Sequence, residues 1–262
     1  MTRQEVLKTL VDHAAHPIYV AVNGSESQGT AISGTSDFDV IGVSVPPLDN
    51  YFGLSEYGSR GTKEIREGDL DAVMFEARKA VRLLANNNPN CLMMLFVRPE
   101  DILFCNRAGQ YLLDHREMFL TSKVEDSFLG YATSSLGKMG AVNGPTGDMG
   151  AKRKLSVEQF GYDVKDACHL IRLVRMGEEI LLTGKVNVWR GGIDADELMA
   201  IKRGEWSFGK VQAVANEGFE RVRAASAATK LPKEIDYKKI NDICVRVVEL
   251  ASFDADVLAN LW

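Results

Sequence analysis

Residues 18–22, I-Y-V-A-V, and 37–45, D-F-D-V-I-G-V-S-V, are two strand-forming runs. Between them lie residues 23–36, rich in Gly, Ser and Thr. β-branched and aromatic side chains suit a pleated, half-buried surface, so each run predicts a strand. The intervening residues predict a loop or a short helix entered by a turn. Pro46-Pro47 ends the second run, because proline has no N–H to give to a ladder. Strand alternation puts Asp37 and Asp39 on one face and Phe38 and Val40 on the other. A chain with this pattern has to build a sheet whose apolar side chains pack inward while two carboxylates share one end.

The remaining pattern extends this sheet and then turns helical. Residues 2–14 read as an amphipathic helix, 69–75 as a third strand, and 75–85, 89–96, 106–114 and 121–137 as helices. The Gly-rich stretch 137–154 reads as a hinge. Beyond it, 155–176, 180–182, 211–228 and 237–261 read as helices. The expected class is α/β (α+β): a small mixed sheet with helices, then an α-helical domain. The expected domains are 1–140 and 141–262.

Composition narrows the function classes. The chain has 262 residues, 45% of them apolar and 26% charged, with a net charge of -5. Residues 1–150 carry 13 Lys+Arg against 19 Asp+Glu, and 151–262 carry 18 against 17. Bulk-charge wrapping of nucleic acid needs a basic surface, so any nucleic-acid contact here is local. Cys91, Cys105, Cys168 and Cys244 have no C-x-x-C spacing, which argues against a zinc site and for reduced thiols. No apolar run reaches the ~20 residues of a membrane span, and the N-terminus lacks the pattern of a signal peptide. The expectation is a cytoplasmic protein that makes no use of a membrane.

Gly24 to Gly29 has the outer spacing of a phosphate-binding P-loop, but Thr30 stands where its Lys is needed. No G-x-G-x-x-G is present in this stretch. Two like charges on one short strand repel, and a divalent cation with hard oxygen ligands, Mg²⁺ or Mn²⁺, relieves that repulsion. Gly24 directly after a strand permits close backbone approach to a phosphate, and the Ser25 hydroxyl adds a donor. Ser27 and Ser36 are further hydroxyls in the same loop. Downstream, E-G-D-L-D-A-V (67–73) offers Asp69 and Asp71 on one strand face.

A strand, Gly24-Ser25, an eleven-residue spacer, Asp37-Phe-Asp39 and a following acidic strand resemble the signature of DNA polymerase β-type nucleotidyltransferases. The segment 71–96 with its Asn88-Pro89 and Leu95-Phe96, and G-Y-D-V-K-D-A-C-H-L-I-R-L (161–173), are similar to one branch. That branch comprises the predicted nucleotidyltransferases associated with RNA repair. Met93-Met94 departs from its pattern, which has an acidic residue before Leu95-Phe96. The resemblance implies a polymerase β-like domain, two Mg²⁺ or Mn²⁺ ions held by Asp37, Asp39 and a third carboxylate, and an NTP substrate. Asp71 is preferred as that carboxylate, with Asp69 the rival. Gly24, Ser25 and Ser36 would meet the triphosphate.

Glu158, Tyr162, Lys165, His169 and Arg172 are spaced 4, 3, 4 and 3 apart, one stripe of a continuous helix. Tyr, Lys, His and Arg on such a stripe suit phosphate, and the resemblance implies nucleotide binding by Tyr162, Lys165, His169 and Arg172. Lys152-Arg153-Lys154 would add either a solvated basic loop or a phosphate contact. The acceptor hydroxyl stays open at this level: an RNA end, a small molecule or a protein. A nucleotide-binding regulatory module without catalysis is the reading from outside the enzyme class.

Overall fold

Pro17 opens the first strand, and the apolar runs of the sequence become neighbours in one sheet. The computed structural model describes residues 1–32, 38–139 and 151–259, the side chains of 151–152 and 253–259 excepted. Its strands are β1 (Pro17–Val22), β2 (Phe38–Ser44), β3 (Thr62–Glu67), β4 (Leu70–Glu76) and β5 (Ile102–Cys105). They pair in the order β3-β4-β2-β1-β5. β2 and β4 run parallel, and the other pairs are antiparallel, so the sheet is mixed as expected.

The first helices are α1 (Arg3–Asp12), α2 (Gly24–Ser27), α3 (Asp49–Phe52), α4 (Ala77–Ala85), α5 (Pro89–Met94) and α6 (Arg107–Asp114). They are followed by α7 (Val124–Met139), α8 (Ala151–Phe160), α9 (Val164–Thr183), α10 (Ala195–Lys202), α11 (Phe208–Ala228) and α12 (Tyr237–Ala259). Local chemistry starts several of them. Thr2 and Glu5 form a reciprocal capping box on α1. The Glu76 carboxylate accepts the Arg78 and Lys79 amides, which moves the start of α4 to residue 77. Asn88 caps α5, with Pro89 at its first position.

Chain contacts define two compact units: Met1–Leu120 with Ile235–Trp262, and Thr121–Glu234. The expected division at 140/141 therefore falls elsewhere. Residues on α12 (Ile240, Ile243, Val247 and Leu250) are buried, and this helix packs on α4 and α6, returning the chain end to the first unit. α7 packs along α9 and so belongs to the second unit. Helix pairing across many residues outweighs chain order, and sequence proximity does not report it.

In the first unit one sheet face buries Val20, Val22, Val40, Leu70, Ala72, Met74 and Ile65 with Val6 and Leu10 of α1. Phe38 packs against the same cluster, as its alternation with the acidic positions required. In the second unit Arg190 is fully buried. It meets Glu179 through both terminal nitrogens and Asp194 through Nε, at 2.7, 2.9 and 2.6 Å. Arg175 holds the other Asp194 oxygen at 2.9 Å. These bonds tie the segment after α9 to α9 itself.

Some elements escaped the sequence pattern. β3 is T-K-E-I-R-E with Ile65 its only buried residue, and β5 has four residues. Both are sheet edges, where backbone pairing rather than apolar content defines the strand. α10 is a further short helix that the pattern did not show. The expected helix 155–176 breaks at Gly161, which has φ +81, and α9 restarts with Asp163 as its cap.

The packing of α12 has a direct test. Ile243→Ala should destabilise the protein by about 2–4 kcal/mol, read from urea unfolding, through lost burial and the cavity left behind.

Candidate active site

The end of β1 and the starts of β2 and β4 meet at one end of the sheet. The Asn23 amide donates to the Asp39 carbonyl at 2.8 Å, which holds the turn after β1 against β2. Gly24 follows with φ +67. A Cβ placed on it would stand 2.3 Å from Asp39 Oδ2. The glycine is therefore required twice: for its left-handed backbone, and because the Asp39 carboxylate lies against it. Ser25 is half-buried beside it. Ser27 is buried, and its hydroxyl donates to the Gly24 carbonyl at 3.1 Å, a turn role.

The second carboxylate comes from register. In the parallel β2–β4 ladder Asp39 pairs with Asp71, so both side chains lie on the same face of the sheet on adjacent strands. Such partners sit about 5 Å apart between Cα atoms. Asp69 occupies the β3–β4 turn and is exposed, while its carbonyl accepts the Phe38 amide at 2.7 Å. Of the two rivals, Asp71 is the one aligned with Asp39. On the other side of Asp71, its β3 partner is Arg66, whose Nε lies 3.3 Å from Asp71 Oδ2. Sequence reasoning missed Arg66, because β3 itself was not recognised.

Asp37 and Ser36 lie outside the described residues. Among the described residues no group of three or more His, Cys, Asp or Glu side chains could hold a metal ion. Asp39 and Asp71 nevertheless fit a hard divalent cation. They are oxygen donors aligned on one face, and the missing Cβ of Gly24 is what lets the Asp39 carboxylate sit at this end of the sheet.

The helical stripe is corrected. Its five residues do not form one exposed surface, because the helix breaks at Gly161 and Tyr162 lies between α8 and α9. Tyr162 is buried, and its hydroxyl donates to the Trp206 carbonyl at 2.7 Å. Arg172 is buried too, with Nη2 2.8 Å from His169 Nδ1. Burial, followed by the charge of Arg172, pushes the His169 imidazole down to about 3, so it is neutral at pH 7. Burial lowers Arg172 to about 10, leaving it a cation. Lys165 alone of the four expected nucleotide ligands is exposed. Arg153 lies in α8, ion-paired with Asp163 at 3.2 Å and Asp166 at 3.5 Å and bonded to the Lys138 carbonyl. It is a bracket within the second unit and not a loop cation.

The model of the RNA repair pathway DNA polymerase beta family matches residues 2–246. The chain belongs to this family. The matched span includes Gly24, Ser25, Asp39, Asp71 and all of α9. No curated protein matches it. A solved nucleotidyltransferase-like protein from Exiguobacterium sibiricum 255-15 is similar over 86% of this chain and 74% of its own, with 12% identity and a TM-score of 0.31. No helix among the described residues is long and apolar enough to cross a membrane.

Two measurements separate structural from binding roles on α9. Tyr162→Phe should lose about 1–2 kcal/mol of stability, read from urea unfolding, by stranding the Trp206 carbonyl, and leave nucleotide affinity unchanged. His169 has its folded pKa below its unfolded value, so the unfolded chain binds more protons between about pH 6.5 and pH 3. Its contribution is complete above pH 6.5 and is lost as pH falls through that window. His169→Gln, which keeps an acceptor for Arg172, should flatten the fall in stability by up to about 1.4 kcal/mol per pH unit.

Proposed function

We propose that the chain is a metal-dependent nucleotidyltransferase that moves a nucleoside monophosphate from an NTP to a hydroxyl acceptor, that of an RNA end. The observation that carries this is the aligned pair Asp39 and Asp71 beside Gly24, at one end of the sheet. Family membership supports the chemistry, and the family's RNA repair description supports the acceptor.

In this reading Gly24 and Ser25 hold the triphosphate, through close backbone approach and a half-buried hydroxyl. Ser36, further along the same Gly/Ser-rich stretch of sequence, would assist. Two Mg²⁺ or Mn²⁺ ions, held by Asp37, Asp39 and Asp71, would neutralise charge on the attacking and leaving oxygens. The acceptor oxygen forms a bond to the α-phosphorus, and the bond to pyrophosphate breaks. In this reading Asp71 takes the hydroxyl proton, a role its partly exposed carboxylate supports. Lys165 of α9, in the second unit, is exposed. Tyr162, His169 and Arg172 are removed from a nucleotide-binding role because their side chains are engaged inside the second unit. The -5 net charge suits a strand end better than an extended duplex. The cytoplasm is the compartment that fits such a substrate and the free cysteines.

The test is pyrophosphate release with each NTP, Mg²⁺ or Mn²⁺, and small RNA. Release should occur with at least one NTP and fall at least about 10²-fold in Asp39→Ala and in Asp71→Asn, the scale of a lost catalytic group. Labelled product on RNA would identify the acceptor, and label on a small molecule or on protein would replace it. NTP binding without release under all conditions would turn the reading into a regulatory nucleotide-binding module.

A further inference from the structure

Arg66, Asp71 and Asp39 form a row across three adjacent strands, β3, β4 and β2, by direct register. The row reads cation, anion, anion. Cross-strand partners share a sheet face, and like charges placed opposite each other destabilise the pairing. Arg66 Nε at 3.3 Å from Asp71 Oδ2 offsets that repulsion from the outer strand. A second acidic neighbour, Glu64, lies farther away, at 3.9 Å.

The strength of this pair matters. The Arg66 side chain is 74% exposed and that of Asp71 34%. Exposed ion pairs are worth little, because water and salt compete for both groups. Arg190 of the second unit is the contrast: fully buried, with three charged hydrogen bonds, it is a fixed strut. Separating Arg66 from Asp71 therefore costs little. An incoming divalent cation needs the same carboxylate oxygens and the same relief of repulsion.

We propose that Arg66 is a displaceable counter-ion of Asp71. It occupies the carboxylate when no metal ion is bound, competes with that ion, and sets its apparent affinity. This rests on the metal-dependent reading above. It adds a residue whose role is to keep the acidic row paired between turnovers and to hold metal affinity below what the carboxylates alone would give.

The test is Mn²⁺ binding to the full chain without nucleotide, followed by the electron paramagnetic resonance signal of free Mn²⁺. The proteins are wild type, Arg66→Met, Arg66→Lys and Lys8→Met. Lys8 is on α1, which packs on the opposite sheet face, and it controls for net charge. Arg66→Met should bind Mn²⁺ about three- to five-fold more tightly at low salt, the upper part of the range an exposed pair supports. Arg66→Lys should stay within about twofold of wild type, and so should Lys8→Met. The advantage of Arg66→Met should shrink at about 0.5 M salt, where the exposed pair is screened. Equal affinity of Arg66→Met and wild type, or an equal shift in Lys8→Met, overturns the proposal. If wild type binds Mn²⁺ and releases pyrophosphate in either case, the functional reading stands and only the role of Arg66 falls. Failure of wild type to bind Mn²⁺ removes both.

Discussion

The parallel pairing of β2 with β4 is the constraint on which the rest of the site depends. It places Asp39 opposite Asp71 and, on the other sheet face, Val40 opposite Ala72 and Phe38 opposite Leu70. A slip of β4 by one residue against β2 would carry Asp71 into the α1-facing core and turn Leu70, Ala72 and Met74 out of it. Burial of Val40, Leu70, Ala72 and Met74 therefore fixes the register, and the register fixes the acidic pair. The apolar face holds two like charges together that would otherwise separate.

Gly24 completes the arrangement from a third element. Its left-handed backbone turns the chain away from β1, and its lack of a side chain admits the Asp39 carboxylate. The Asn23 amide bond to the Asp39 carbonyl ties turn and strand together. The result is two oxygen donors, Asp39 and Asp71, held side by side at one end of the sheet with Gly24 against one of them. In the second unit, by contrast, polar side chains that look suited to ligands serve the interior. Tyr162, His169, Arg172, Arg175 and Arg190 are engaged with one another, with carbonyls or with Glu179 and Asp194.

Much of the first unit was legible as sequence, because strand alternation and turn chemistry are local. The β1 and β2 runs, the packing of Phe38 and Val40, the Gly-Ser turn and the helices with Asn or Glu caps follow from near neighbours. β3 was not legible. Its charged residues look like a solvated loop until β4 supplies the backbone partner, and with β3 went Arg66. The α9 stripe failed for a related reason. A spacing of 4, 3, 4 and 3 states which residues share a face only while the helix is continuous, and Gly161 interrupts it. Which face is then wet depends on α11, α7 and α10 packed around α9, and periodicity carries no information on that.

The sequence by itself determined the class of the chain, mixed α/β, and the acidic, Gly-Ser-preceded strand that marks its family. These are properties of residue types at short spacing, where sterics and alternation act directly. Tertiary structure alone decided the alignment of Asp71 with Asp39, the presence of Arg66 at the end of the row, the burial of Tyr162 and Arg172, and the return of α12 to the first unit. Each of these rests on contact between segments distant in the chain, and such contacts are set by the burial of apolar faces and the closing of backbone ladders in three dimensions.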